Sequence, residues 1–387
     1  MAGIHSMTVI AQPGADVRVR TLSSEEEFTE LADVWDDLVL AMTRPSPFLL
    51  HTWLREWWRH YANDGQLAIH VAYRGDRLVG ALPLSVRRRL GLRITEFMGG
   101  WALLADVLIA RGEDESVVAG ALAERASTMD HDFADLYGLT GASRLVAALP
   151  PADFRLIERL EAPVLELSSG WEAVWQSKLS PKARSMRRRR RRQLEAVGPV
   201  EVALARTREE LAPALEEAFR VHALRWQGRH DSSEFATPVG RAFHRAALLR
   251  LADDDAVRLL TLSVNGKPIA FALSLQVADR AYGLRRAFDP AFGRFSPGSE
   301  AKLLSLEAAA AEGMERSEFL GAAAPHNVRF ADTFDPICQG IGLARTPRGR
   351  VAVAALLAGI RIRRTLKRSA TARRLYARAR RLKGTRA

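Results

Sequence analysis

Cysteine is almost absent: Cys338 is the only one in 387 residues. A single thiol excludes a disulfide framework and a cysteine-built metal cluster, and it favours a reducing compartment. Residues 1–16 have no hydrophobic core behind a basic start, so no secretory leader is expected. The longest near-uniform apolar run, residues 351–360, is half of the roughly 20 residues that a bilayer span requires. These absences predict a cytoplasmic protein. Catalytic signatures are missing too. The nine histidines show no H-E-x-x-H or comparable spacing, so no metal is expected. No G-x-S-x-G elbow is present and no G-x-G-x-x-G follows a strand. Gly293 and Gly298 have P-loop spacing, but Ser299 stands where that loop needs lysine.

Acid is absent from one end. No Asp or Glu follows Asp335, while residues 345–386 supply fifteen Lys or Arg. Without those fifteen the chain holds 42 basic and 45 acidic residues, so the net charge of +12 belongs to the tail. A basic tail without acidic partners suits peripheral contact with anionic lipid at the inner face of a membrane. RNA is the rival partner, though Tyr376 is the only aromatic interleaved there.

What is present is a repeat. Residues 67–84 (LAIHVAYRGDRLVGALPL) and 258–275 (RLLTLSVNGKPIAFALSL) both read as two β-rich runs around a tight turn. Laying Gly75 on Gly266, an offset of 191, gives four identities in eighteen positions. Each hairpin follows a capping box, Ser24 with Glu27 and Thr207 with Glu210. Apolar stripes follow those boxes: Phe28, Leu31, Val34, Trp35 and Leu38 in one half, Leu211, Leu215 and Phe219 in the other. The halves meet near residues 160–170, where a short strand is expected at 164–167. Ser180 and Pro181 then open a bridging helix, 181–198, that carries six consecutive arginines, 187–192. Such a helix is either solvated on all sides or turns one face, such as Arg184 and Arg188, towards an anionic acceptor.

The richest stretch is 258–321. A three-strand meander ends at Asp289-Pro290, and a helix then starts at Ser296, Pro297 and Gly298. Read as punctuation, these residues only begin a helix. Read functionally, bare amides at Gly298, Ser299 and Glu300 form an anion site for a pyrophosphate, with a pantetheine arm along a splayed strand edge.

These residues resemble a family. Pro47-Phe48 with Trp53, Trp57 and Trp58; Pro83-Leu84 before a basic stretch; Asp106 after Gly99-Gly100; the bridging helix; His222 with Arg225-Trp226; and Ala287-Phe288-Asp289-Pro290 before Ser296-Pro297-Gly298 are similar to tandem GNAT-fold acetyltransferases of the CelD/BcsL (BioF2-like) type, relatives of the FemAB peptidyltransferases. The match runs from about residue 46 to 345.

The resemblance implies an α/β fold of two GNAT-like lobes, each a mixed, mainly antiparallel sheet flanked by helices. The expected divisions are residues 17–165, 166–345 and a basic helical tail, 346–387. The donor would be acetyl-CoA or another acyl-CoA, received at Ser296, Gly298, Ser299 and Glu300. The acceptor, a small molecule or glycan of the cell envelope or an exopolysaccharide, would lie between the lobes near Asp106, Trp57, Arg184, Arg188, His222, Trp226 and Arg329. Relatives carry an acidic pair and a Tyr-Lys after the last strand. Here that segment, 321–330, has alanines for the acids and Asn327 where the lysine would be. His326 becomes the expected base, with Asp289 and Asp106 behind it. Aminoacyl transfer from a charged tRNA, or a binding protein without activity, are the alternatives.

Overall fold

The computed structural model describes residues 16–100, 104–227, 233–321 and 323–368. The remaining part of the basic tail, 369–387, lies outside the described residues, as do the side chains of His326, Arg364 and 366–368.

The chain runs through one order of elements twice. The first pass is β1 (Val17–Leu22), α1 (Glu25–Thr29), α2 (Ala32–Leu40), α3 (His51–Tyr61), β2 (Gln66–Arg74), β3 (Arg77–Arg89), β4 (Leu92–Phe97), a two-residue β5 (Leu108–Ile109), α4 (Glu115–Thr128), β6 (Phe133–Thr140), α5 (Arg144–Ala148) and β7 (Phe154–Glu166). Two helices, α6 (Trp171–Lys178) and α7 (Pro181–Glu195), lead to the second. That pass is β8 (Val200–Ala205), α8 (Arg208–Trp226), α9 (Pro238–Leu251), β9 (Val257–Val264), β10 (Lys267–Val277), β11 (Arg280–Phe288), α10 (Pro297–Ala311), β12 (Arg316–Glu318), α11 (Pro325–Val328) and β13 (Thr333–Gly342). The final helix is α12 (Pro347–Arg368). The duplication read from two hairpins is therefore the architecture.

Both capping boxes form as expected, at Ser24 and Thr207. The first helix breaks after Thr29, and Val34 ends up exposed rather than in the stripe. The offset of 191 is corrected by one. The two-residue turns are 75–76 and 265–266, because Arg74 pairs with Arg77 and Val264 with Lys267. Val79 and Ile269 are the bulged residues of the two hairpins, which also fixes the offset at 190. A slip of one residue turns every side chain to the other face, so the matched leucines were coincidence.

Among the described residues 13 strands form one sheet, with order β1-β2-β3-β4-β6-β13-β7-β12-β11-β10-β9-β8 and β5 against β3. The two lobes exchange their last strands. β7 ends the first pass but pairs with β12 of the second, and β13 ends the second but pairs with β6 of the first. β7 and β13 lie antiparallel along the seam, from Phe154 opposite Gly342 to Val164 opposite Thr333. The short strand expected at 164–167 is thus the end of a 13-residue strand. Gly340 is required there, since a Cβ would stand 2.1 Å from the Phe154 ring.

Alternation along β10 supplies a core on each face. Phe271, Leu273 and Leu275 join a cluster with Leu211, Leu215 and Phe219 of α8, which continues through α9 and α3 into the first lobe. Ala270 and Ala272 point to the other side, with Phe295 and Ala301 under α10. Polar links reinforce the seam. Glu318 of β12 is 0% exposed and is held by Arg44 of the first lobe and by Arg280. Tyr282 donates its hydroxyl to the Pro45 carbonyl.

Candidate active site

β11 and β12 run side by side, parallel, only where 280–282 face 316–318. Beyond that point the strands part. β11 continues to Phe288 with its other edge bonded to β10. After Phe319 the chain turns away through Leu320, at φ 56°. α10 lies against β9, β10 and β11 beside the opening. The result is a groove of about 230 Å³ lined by Arg285 and Arg286 of β11, Lys302 and Ser305 of α10, Phe319 and Asn327. No acidic side chain lines it among the described residues, so its charge is positive.

Lys302 is the main feature of this groove, and the sequence reading missed it. It lies one turn below Gly298 on the buried stripe of α10, with Ala301, Leu306 and Ala309. The residue is only 6% exposed, and its Nζ donates to Asn327 Oδ1 at 2.9 Å and sits 3.8 Å from the Phe319 ring centroid and 4.5 Å from that of Phe330. Burial pushes its pKa down to about 6, and the charges of Arg286 and Arg329 push the same way. At neutral pH it is largely a neutral amine, able to accept a proton. The signal available in sequence was a lone lysine on an otherwise small and apolar helix stripe. Asn327 stands where relatives are expected to carry lysine, and here an amine reaches it from another element.

The start of α10 differs from expectation. Ser296 is left-handed (φ 55°) and makes no side-chain cap. Its carbonyl accepts from the Ser299 amide at 3.0 Å and the Glu300 amide at 3.2 Å, so those two donors are spent. Gly298 is small because the Phe288 ring is beside it, 2.8 Å from where a Cβ would stand. The Glu300 carboxylate grips Arg187 with two bonds of 2.7 and 2.9 Å. A second cavity, about 210 Å³, nevertheless opens here, between α10 and α7. Ser296, Ser299 and Glu300 line it, with Arg187, Arg190 and Arg191 of α7 and Arg329. Arg190 and Arg329 bring positive charge to it, whereas Arg191 is paired with Glu195.

Several expected site residues have other tasks. Arg184 caps α6, donating to the Leu179 carbonyl at 2.8 Å, and Arg188 faces solvent. The inward face of α7 is 187, 190 and 191 because helical spacing of three and four sets it. Asp289 caps the short 3-10 helix Pro290–Phe295 through the Ala291 amide and lines neither cavity. Asp106 is buried and accepts from Val107, Ser143, Arg144 and Leu145, which fixes the start of α5. Burial raises its pKa while those bonds lower it, and burial dominates. His222 lies in the core, its ring 5.4 Å from that of Phe235. Trp226 ends α8 half-exposed, under the Arg225 guanidinium. The His326 backbone is in α11, beside Asn327, and its side chain lies outside the described residues.

Trp57 opens onto a third cavity, of about 380 Å³, at the parting of β4 and β6. These two strands are parallel only where Ile94 and Thr95 face Phe133 and Ala134. Among the described residues, no group of three or more His, Cys, Asp or Glu is arranged to hold a metal ion.

A parallel strand pair that opens beside a helix, present in both halves, defines a tandem GNAT-like fold. The family model described as an acetyltransferase (GNAT) domain matches residues 181–327, from the start of α7 through most of the second lobe, so that stretch is similar to it. Among solved structures, FemX is similar over 83% of this chain and 97% of its own, at 11% identity and a TM-score of 0.56. The C-terminal domain of a protein described as a lysylphosphatidylglycerol synthetase from Agrobacterium fabrum is similar over 86% and 95%, at 13% identity and a TM-score of 0.51. At such identities the likeness is one of fold. No curated protein matches the chain by sequence.

Proposed function

We propose that this protein is an acyl-CoA-dependent acyltransferase of the CelD/BcsL type, acting on an amine or hydroxyl of a cell-envelope or exopolysaccharide-related acceptor. The observation that carries the reading is Lys302, a buried amine in an acid-free groove where β11 and β12 part. The residues fit a donor rich in phosphate. Arg286 and Arg329 supply charge near the groove, Arg190 supplies it at the helix start, and the unpaired edge of β11 offers backbone groups to an extended arm.

In this reading the acceptor attacks the thioester carbon, the new bond replaces the C–S bond, and Lys302 takes the acceptor's proton. The proton then returns to the departing thiolate. Position and a base are most of what such a transfer asks of side chains. Titration calorimetry with acetyl-CoA and longer acyl-CoAs tests donor binding. Transfer of a radiolabelled acetyl group tests turnover in the wild type and in Lys302→Met. Binding without turnover in the variant supports the assignment. Full turnover in Lys302→Met would remove Lys302 as base.

A second reading, aminoacyl transfer from charged tRNA, is favoured by the arginine face of α7 at the 210 Å³ cavity. Ribonuclease sensitivity, with no dependence on CoA, would select it. Silence in both assays would leave a binding protein.

The C-terminal helix supports a peripheral attachment to anionic lipid. Val351, Ala354, Ala355, Ala358 and Ile362 form an exposed stripe along α12, with Arg350 and Arg361 at its edge. No described helix is long and apolar enough to cross a membrane.

A further inference from the structure

The 380 Å³ cavity opens where β4 and β6 part, as the Lys302 groove opens where β11 and β12 part, but it is walled by Trp57 and Tyr61 of α3 and by no described residue of α4. β4 and β6 correspond to β11 and β12, and α4 corresponds to α10. The chemistry of the two places differs. α4 begins at Asp114, whose carboxylate takes the amides of Ser116 and Val117, and Glu115 follows. A helix start filled by its own carboxylate and flanked by another repels phosphate. The start of α4 is therefore not a second phosphate site of the kind considered at α10.

Both signs of charge line the cavity itself: Arg87, Arg89 and Arg159 against Glu96, Asp135 and Glu234. Glu96 is shared by Arg87 and Arg89. Asp135 is met by the Gln339 amide. Glu234 lies 3.8 Å from His244, but burial pushes that imidazole down to about 4, so it brings no charge at neutral pH. Trp57 and Tyr61 form an aromatic wall, stacked at 6.1 Å, and the buried Tyr61 hydroxyl has no hydrogen-bond partner among the described residues. Glu234 is also one residue from a contact with the Lys302 groove. The next residue, Phe235, lies under the Arg285 guanidinium at 5.2 Å, and Arg285 lines that groove.

We propose that this cavity is the acceptor site and that it takes a primary amine bearing a carboxylate or phosphate on the same molecule. Glu234 and Asp135 receive the ammonium, Arg159 and Arg89 the anion, and the aromatic wall the carbon skeleton between them. This rests on the acyl-transfer reading, in which the amine is presented towards Lys302.

The test is equilibrium binding to the full chain, by saturation-transfer NMR, with glucosamine 6-phosphate and alanyl-lysine as probes. Their N-acetylated forms are the controls, together with glucosamine, which lacks the anion. At least one doubly charged probe should bind, with the controls at least tenfold weaker. Which probe binds distinguishes a phosphate from a carboxylate acceptor. Glu234→Gln and, as a second variant, Asp135→Asn should each weaken the bound probe about tenfold while leaving acetyl-CoA affinity unchanged. Equal binding of acetylated and free amines, no binding of either probe, or indifference to both substitutions would overturn the proposal. If the probes bind as expected and no acyl-CoA does, the donor reading falls and the cavity assignment stands.

Discussion

The Lys302 ammonium donates to Asn327 Oδ1 at 2.9 Å, joining the buried stripe of α10 to the loop that follows β12. Its depressed pKa predicts the pH profile of the reaction. With Lys302 as the proposed base, the groove is competent when the amine is neutral, so kcat/KM should rise with pH through a limb near 6. Lys302→Arg should abolish the limb and most activity, because a guanidinium does not deprotonate. A profile unchanged by the substitution would assign the limb to another group.

The same shift has a sign for stability. The folded pKa is lowered from 10.5 to about 6, so between those values the unfolded chain binds the proton more tightly. Stability therefore rises with pH across that window, and the burial penalty is fully present below about 6. Lys302→Met should stabilise the protein by on the order of a few kcal/mol below pH 6, and the gain should shrink as pH approaches 10.5. Denaturant melts at several pH values check this, independently of turnover.

Asn327 tunes that amine. Asn327→Asp places a carboxylate at hydrogen-bond distance from Lys302 and favours the ammonium. An opposite charge at that range raises an amine pKa by roughly 1–3 units. The acid limb of the rate profile should move up accordingly, with reduced activity at neutral pH that recovers in alkali. A limb that stays near 6 would show that Lys302 does not set it.

Gly298 looked like an opening for phosphate, and the structure makes it a packing residue. In Gly298→Ala the new methyl meets Phe288 at 2.8 Å. Overpacking of that kind costs about 1–3 kcal/mol, more than the roughly 1 kcal/mol that alanine gains in a helix. In a Phe288→Ala background the sign should reverse, leaving only the helix gain. Urea midpoints of the four proteins decide it.

These residues show what could be read in advance. Hairpins, capping boxes and the order of elements were legible because turn chemistry and helix caps are local. The seam was not, since β7 and β13 carry Pro163, Pro336, Gly340 and Gly342, which read as strand breakers until each strand has a partner. The sequence points to the start of α10 as the donor site and to the backbone at Ser299 and Glu300 as its chemistry. Those amides are taken by Ser296, a left-handed conformation that the sequence Ser-Pro-Gly does not announce. Lys302 was invisible for a related reason: its shift comes from burial and from the charges of Arg286 and Arg329, all of which tertiary contact supplies.

The attachment proposed for α12 predicts flotation with phosphatidylglycerol vesicles and none with phosphatidylcholine alone, falling as salt rises. Each Lys or Arg near an anionic surface contributes about 1 kcal/mol. Ile362→Asp and Val351→Asp remove two exposed apolar side chains, 58% and 70% accessible, and should reduce flotation without altering acetyl-CoA affinity. Flotation that survives both would move the contact away from this stripe.

Glu318 ties the lobes together and should be the most sensitive carboxylate in the fold. It is wholly buried and shared by Arg44 and Arg280, from opposite sides of the seam. Arg44→Met leaves Arg280 as its remaining cation, and breaking one side of a buried pair costs roughly 3–5 kcal/mol. The retained Arg280 puts the expected loss at the lower end. Tyr282→Phe, which removes only the hydroxyl bond to Pro45, should cost about 1 kcal/mol. Both losses should appear as one cooperative transition, because the exchanged strands make each lobe's sheet depend on the other. Two separate transitions in Arg44→Met would mean that the lobes unfold independently despite the shared seam.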